Sequence, residues 1–127
     1  MRFLSDEWVA AAGTSSVPAV DGGFSGRVQH AVTGGPEDDV KFVVTWTDGR
    51  PTSAEVGVDK DAEVSLTLPF ADAVGVAKGD LDLNTLFMRG QMKVAGSTGT
   101  LLQFLAATQG PALVDELSAR AEDTDFA

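Results

Sequence analysis

At Pro69 the hydrophobic period of the chain switches from two residues to that of a helix, and no other feature constrains the fold as much. Upstream, Phe24, Gly26, Val28, His30 and Val32 alternate with Ser25, Arg27, Gln29, Ala31 and Thr33, the repeat of a strand with one buried face. The turn "GGPEDD" separates this strand from "VKFVVTWT" (residues 40–47), which is rich in β-branched and aromatic residues and reads as a second. "DGRP" leads into a third, "TSAEVGVD", and "KDA" into a fourth, "EVSLTLP", where Val64, Leu66 and Leu68 alternate with Ser65 and Thr67. This half of the chain is expected to be an antiparallel meander.

Beyond the switch, Pro69 suits the first position of a helix, and "PFADAVGVAK" puts Phe70, Val74 and Ala77 on one face before Gly79 stops it. "DLDLN" caps a short helical turn through "TLFM", closed by Gly90. "QMKVA" is a last strand, with Met92 and Val94 on one side and Lys93 on the other. Ser97 caps "TGTLLQFLAATQ", striped by Leu101, Leu102 and Leu105. Gly110 and Pro111 separate it from a C-terminal helix over about 111–122, striped by Leu113, Val114 and Leu117. Near the start, Ser5 caps a helix over 5–12 with Asp6 and Glu7 in its first turn, and Gly13 ends it before the loop "SSVPAVDGG". Strands followed by helices predict an α+β fold in which helices cover one face of a curved, mainly antiparallel sheet. At 127 residues, the whole of 1–127 is expected to be one domain.

Charge narrows the partners. Nineteen acids against nine bases give a net charge of -10, and the bases never form a run. A phosphate-tracking surface needs clustered cations, so nucleic acid is not expected, and electrostatic adsorption to anionic membranes is disfavoured. There is no cysteine, which excludes disulfides and thiolate chemistry. With no signal-like segment at either end and no run near the ~20 apolar residues that span a bilayer, a cytoplasmic location is expected.

Catalytic signals are thin. His30 is the only histidine, mid-strand on the face of Val28 and Val32, and reads as a partly buried strand residue. Ser97 lacks the nucleophile elbow, since Ala95 stands where glycine is required. Residues 59–70 begin like a calcium loop but fail at Val64 and Phe70, where glycine and a bidentate glutamate belong. "PEDDVK" likewise reads as a solvated turn. "GSTGT" lacks the lysine and spacing of a phosphate loop, and an N-cap by Ser97 explains it. A small α+β isomerase of the ketosteroid type, built on a similar sheet, is a further alternative, although that chemistry uses a tyrosine in its oxyanion hole and this chain has none. No catalytic residue, metal site or cofactor is expected.

The run from "AEVSLTLPF" to "GTLLQFL" carries a pattern: a strand, a helix ending in Gly79-Asp80, Asn84 in a connector, Phe87-Met88, then Gly90-Gln91-Met92-Lys93-Val94-Ala95-Gly96 before a leucine-rich helix. Over about residues 24–110 the chain resembles the sterol carrier protein 2 (SCP-2) family. The resemblance implies a five-stranded sheet covered by helices around an apolar tunnel, and non-catalytic binding or transfer of a fatty acid, fatty acyl-CoA or sterol-like lipid. Ser97 stands where the family often has an acid, and either residue caps a helix. Animal members tend to be basic and dock on membranes, whereas this chain is acidic, so stable membrane anchoring is not expected.

The residues that would line such a tunnel are Phe42, Val44 and Trp46 on the second strand and Leu66 and Leu68 on the fourth. Phe70 and Val74 would follow from the next helix, and Phe87, Met88 and Met92 from the connector, where methionine suits an adaptable wall. Leu101, Leu105 and Leu113 complete the set. Taken singly, each of them is better explained by ordinary core packing, and the tunnel reading rests on the set as a whole. Ten buried methylenes of an acyl chain are worth ~8 kcal/mol, and a bilayer offers the lipid much the same, so transfer would be nearly isoenergetic. The alternative is an interaction module or accessory subunit with a filled core, acting as a homodimer or on a protein partner.

Overall fold

In a computed structural model, residues 2–15, 18, 23–35 and 39–126 are described. The elements run α1 (Asp6–Ala12), β1 (Gly26–Thr33), β2 (Val40–Thr47), β3 (Arg50–Val56), β4 (Val64–Pro69), α2 (Phe70–Lys78), α3 (Leu83–Met88), β5 (Lys93–Gly96), α4 (Thr98–Ala107) and α5 (Pro111–Glu122). Much of the two loops read as "SSVPAVDGG" and "GGPEDD" lies outside the described residues.

Three of the five helices, α1, α3 and α4, begin where a side chain satisfies one of their first amides. Ser5 Oγ accepts from Trp8 N at 3.2 Å, Asp82 Oδ1 from Thr85 N at 2.7 Å, and Ser97 Oγ from Thr100 N at 3.3 Å. Gly79, with φ 85°, closes α2 in the left-handed conformation that favours glycine.

The sheet has the order β3-β2-β1-β4-β5. The first three strands form the expected meander, but β4 does not continue it: it crosses to the far side of β1 and pairs with it in parallel, Val28 opposite Val64 and His30 opposite Leu66. Strand alternation specifies which face is buried and leaves the neighbour open, which is why the sequence suggested a longer meander. β5 closes the other edge antiparallel to β4. The sheet is therefore mixed, mainly antiparallel, with one parallel pair.

The register places the apolar rows on one face. Val28, His30 and Val32 share it with Val44, Phe42 and Val40 on one side and Val64, Leu66 and Leu68 on the other. The helices cover this face, and Phe24, Trp46 and Phe104 pack edge-on where β1 begins and β2 ends, with centroids 5.6–6.0 Å apart.

On the opposite face Gln29 is the one buried polar side chain among the described residues. Its Nε2 donates to the carbonyls of His30, Phe42 and Gly57, and its Oε1 accepts from Asp59 N at 2.7 Å. Gln29 thus pins the start of the β3–β4 crossing to the middle of the sheet.

Candidate functional site: an apolar pocket under the helices

Between the covered face of the sheet and the helices lies a pocket of about 150 Å³. Its floor is Val32 and His30 of β1, Phe42, Val44 and Trp46 of β2, and Leu68 of β4. Its roof comes from Trp8 and Ala12 of α1, Ala73 and Ala77 of α2, Leu83 of α3, Phe104 of α4, and Leu113, Leu117 and Arg120 of α5. Every element except β5 contributes.

Two larger clefts adjoin it. Phe3, Leu4 and Val32 also line a cleft of about 460 Å³ between the N-terminal segment, the C-terminal tail and the β1–β2 end of the sheet, which carries Arg2, Lys41, Asp6, Asp39 and Asp125. On another side, Leu83, Thr108 and Leu117 also line a cleft of about 330 Å³ beside α2, α3 and α5. The first cleft is larger than the pocket but mixed in charge, whereas the pocket is walled by aromatic and aliphatic groups, the composition that takes an apolar ligand.

The wall has few polar groups. The His30 imidazole is stacked on the Phe42 ring, and burial lowers its pKa to about 4, so it is neutral at pH 7. Thr108 donates its hydroxyl to Leu105 O at 2.7 Å. The Arg120 guanidinium lies 3.6 Å from the Glu116 carboxylate, and burial lowers its pKa while Glu116 raises it. Trp46 Nε1 is buried and meets no acceptor among the described residues.

Of the residues singled out from sequence, Phe42, Val44, Trp46, Leu68 and Leu113 lie on this wall. Leu66, Met92, Leu101 and Leu105 are buried in the core away from it, and Val74 and Phe87 pack partly buried against that core. Phe70 faces the adjoining polar cleft. Met88 is 78% exposed, because the short α3 turns its last residue outward. Leu102 and Val114, expected in the apolar stripes, are exposed as well. Sequence reasoning missed Phe3, Trp8, Phe104, Leu117 and Arg120. The signal for three of these was present: Phe104 follows Leu101 by three, and Leu113, Leu117 and Arg120 recur at four and three, the spacing of one helix face.

A model of the SCP-2 sterol transfer family matches residues 21–109. The chain belongs to the SCP-2 sterol transfer family. No curated protein sequence matches it. Among solved structures, one described as sterol carrier protein 2 superposes with a TM-score of 0.69 at 21% identity, covering 92% of this chain and 98% of that one. A possible sterol carrier protein of Thermus thermophilus gives 0.62 at 21% identity, over 89% of this chain and 76% of that one. The palmitated SCP2L2 of Aedes aegypti, solved in solution, gives 0.62 at 14% identity, over 82% and 90%. These likenesses show a shared SCP-2 fold. As a family member the chain is a lipid-binding or lipid-transfer protein in general terms. Among its described residues no helix is long and apolar enough to cross a membrane, and no three or more His, Asp or Glu side chains gather as a metal site would require.

Proposed function

We propose that this SCP-2 protein binds one hydrophobic ligand, a fatty acid, fatty acyl ester or sterol-like lipid, in the pocket beneath its helices and carries or presents it without chemical change. The observation that carries this reading is the wall itself: nine elements converge on one apolar space, and its polar groups are too few and too dispersed for acid–base or nucleophilic work. The palmitated state of the Aedes aegypti relative supports an acyl ligand.

At about 150 Å³ the pocket is smaller than the ~300–1,000 Å³ that encloses a drug-sized ligand, so a long chain must part the mouths at Phe3–Leu4 or at Leu83–Leu117 and extend into an adjoining cleft. The tunnel is then formed by pocket and clefts together once these side chains move. A cytoplasmic location belongs to the same proposal, supported by the cysteine-free chain.

The two tryptophans of the chain, Trp8 and Trp46, both line the pocket, so their fluorescence reports its contents. Titration with palmitate is expected to give a saturable change at one equivalent. No change in either intensity or wavelength would count against the pocket as a lipid site. The small volume also favours a second reading, an interaction module with a filled core, which predicts no uptake and a dimer or a hetero-complex in solution.

A further inference from the structure

We infer that the segment Arg2–Ser5 is a latched strap across the pocket, and that its contacts with Thr124–Phe126 hold the pocket shut against a long-chain ligand. The inference rests on the reading of the pocket as a lipid site and names what controls access to it.

Phe3, Leu4 and Val32 line both the pocket of about 150 Å³ and the charged cleft of about 460 Å³, so the strap and β1 form the partition between the two. Phe3 is 7% exposed, and its ring lies 4.9, 5.8 and 5.0 Å from those of Trp8, Phe70 and Phe126. With the strap displaced, pocket and cleft join into one space within the ~300–1,000 Å³ range of ligand sites. With it in place, a long chain is confined to the smaller of the two.

The strap is bent at an unfavourable residue. Ser5 N donates to Arg2 O at 3.1 Å, closing a four-residue turn whose third residue, Leu4, has φ 64°. That position favours glycine, because a Cβ in the left-handed region crowds the following carbonyl. A bulky residue keeps such a backbone only while its surroundings enforce it. Here the tail does so. Arg2 and Asp125 form an isolated parallel bridge, Phe3 N donates to Asp125 O at 2.9 Å, and the Phe126 ring rests on Phe3. The tail is itself pinned: Thr124 Oγ1 donates to Arg120 O at 2.7 Å, and Lys78 Nζ lies 5.1 Å from the centroid of the Phe126 ring.

The mouth at Leu83 and Leu117 is held more firmly. Asp82 fixes the start of α3 by accepting from both the amide and the hydroxyl of Thr85. Asp80 N and Leu81 N both donate to Gly75 O, and Leu81 packs so closely on Gly75 that a Cβ there would fall 2.6 Å from Leu81 Cδ1. Parting this mouth shifts a helix, whereas lifting the strap releases an isolated bridge and the contacts of two rings, and relaxes Leu4. The strap therefore opens first. A ligand that needs both spaces binds only the open state, so the latch weakens its apparent affinity in proportion to the closed fraction.

The test clamps the latch and then loosens it, with palmitate titrated against Trp8 and Trp46 fluorescence. Bridge partners lie about 4.8 Å apart, within reach of a disulfide, and the chain has no cysteine to compete, so Arg2→Cys/Asp125→Cys provides one reversible clamp. The oxidised variant should bind palmitate about ten-fold or more weakly than the same variant reduced, which should lie within about three-fold of wild type. Lys78→Met/Thr124→Val removes two pins of the tail at residues that line neither cavity, and should tighten palmitate binding by about three- to ten-fold. A purely structural role for these residues predicts no gain of affinity. Should the disulfide fail to form, the second variant decides alone. Equal affinity in the two oxidation states, or unchanged or weaker binding by Lys78→Met/Thr124→Val, would overturn the latch and leave the pocket reading standing. No uptake of palmitate by the wild type or by either variant would overturn both.

Discussion

The imidazole of His30 lies flat against the ring of Phe42, with centroids 4.6 Å apart and planes 3° from parallel. The two residues face each other across the β1–β2 ladder on the floor of the pocket. Burial removes water from the imidazole, and its pKa falls from the ordinary 6.5 to about 4.

Stability should therefore depend on pH in a window set by this one group. The unfolded chain takes up the proton near pH 6.5 and the folded chain only near pH 4, so the unfolded state binds more protons between the two. Stability is undiminished by this group above pH 6.5 and falls as the pH drops toward 4, by on the order of 3 kcal/mol in total. His30→Phe keeps an aromatic ring on Phe42 and removes the proton site. Denaturant unfolding at several pH values should show wild type losing stability relative to His30→Phe across this window, and parallel curves would contradict the assignment.

Gln29→Leu should cost about 2–4 kcal/mol, because it removes the acceptor of Asp59 N and the donor to Gly57 O while leaving the partly buried backbone groups in place. Hydrogen exchange at the Asp59 amide should quicken by more than exchange at the centre of β2. A loss below ~0.5 kcal/mol would mean that water replaces the side chain at no cost.

Phe104→Ala should cost about 3–5 kcal/mol, the range for removing a buried ring from a close-packed core. Phe104 is 1% exposed and meets both Phe24 and Trp46 edge-on. Chemical denaturation gives the number, and a red-shifted Trp46 emission should accompany it as the indole loses one wall.

Ala77→Phe places a ring in a pocket that holds about one benzene-sized group. We expect at least a ten-fold loss of palmitate affinity with stability changed by less than about 1.5 kcal/mol. Met88→Ala, at a residue 78% exposed and off the pocket wall, should alter stability by no more than ~0.5 kcal/mol and leave affinity as it is. Equal effects of the two substitutions on binding would place the ligand elsewhere.

Much of the fold was legible because its elements announce themselves locally. Ser5, Ser97 and Gly79 mark helix ends through hydrogen bonds and backbone geometry that lie within a few residues of them. The rows Val28–His30–Val32 and Val64–Leu66–Leu68 mark strand faces in the same way. What was not legible depends on contacts distant in sequence. The parallel pairing of β4 with β1 joins residues 36 apart, and the alternation of each strand is satisfied by any neighbour that offers an apolar face.

The pocket was less legible than the fold, for a related reason. Leu66 and Leu68 have identical local patterns, yet Leu68 reaches the pocket wall and Leu66 is sealed in the core. Met88 looked like a wall residue by composition, and the brevity of α3 turns it to solvent. Arg120 is one of nine scattered bases, and nothing in its immediate neighbours marks it for the pocket wall. Its place becomes apparent only when Leu113, Leu117 and Arg120 are read as one stripe facing the sheet.

Native mass spectrometry of gently purified protein, followed by organic extraction, most directly tests whether this SCP-2 fold carries a lipid. We expect one acyl or sterol-like molecule per chain, released on activation and identified in the extract. A clean ligand-free mass, together with no uptake of a fluorescent fatty acid, would contradict the lipid-binding reading and leave a filled core.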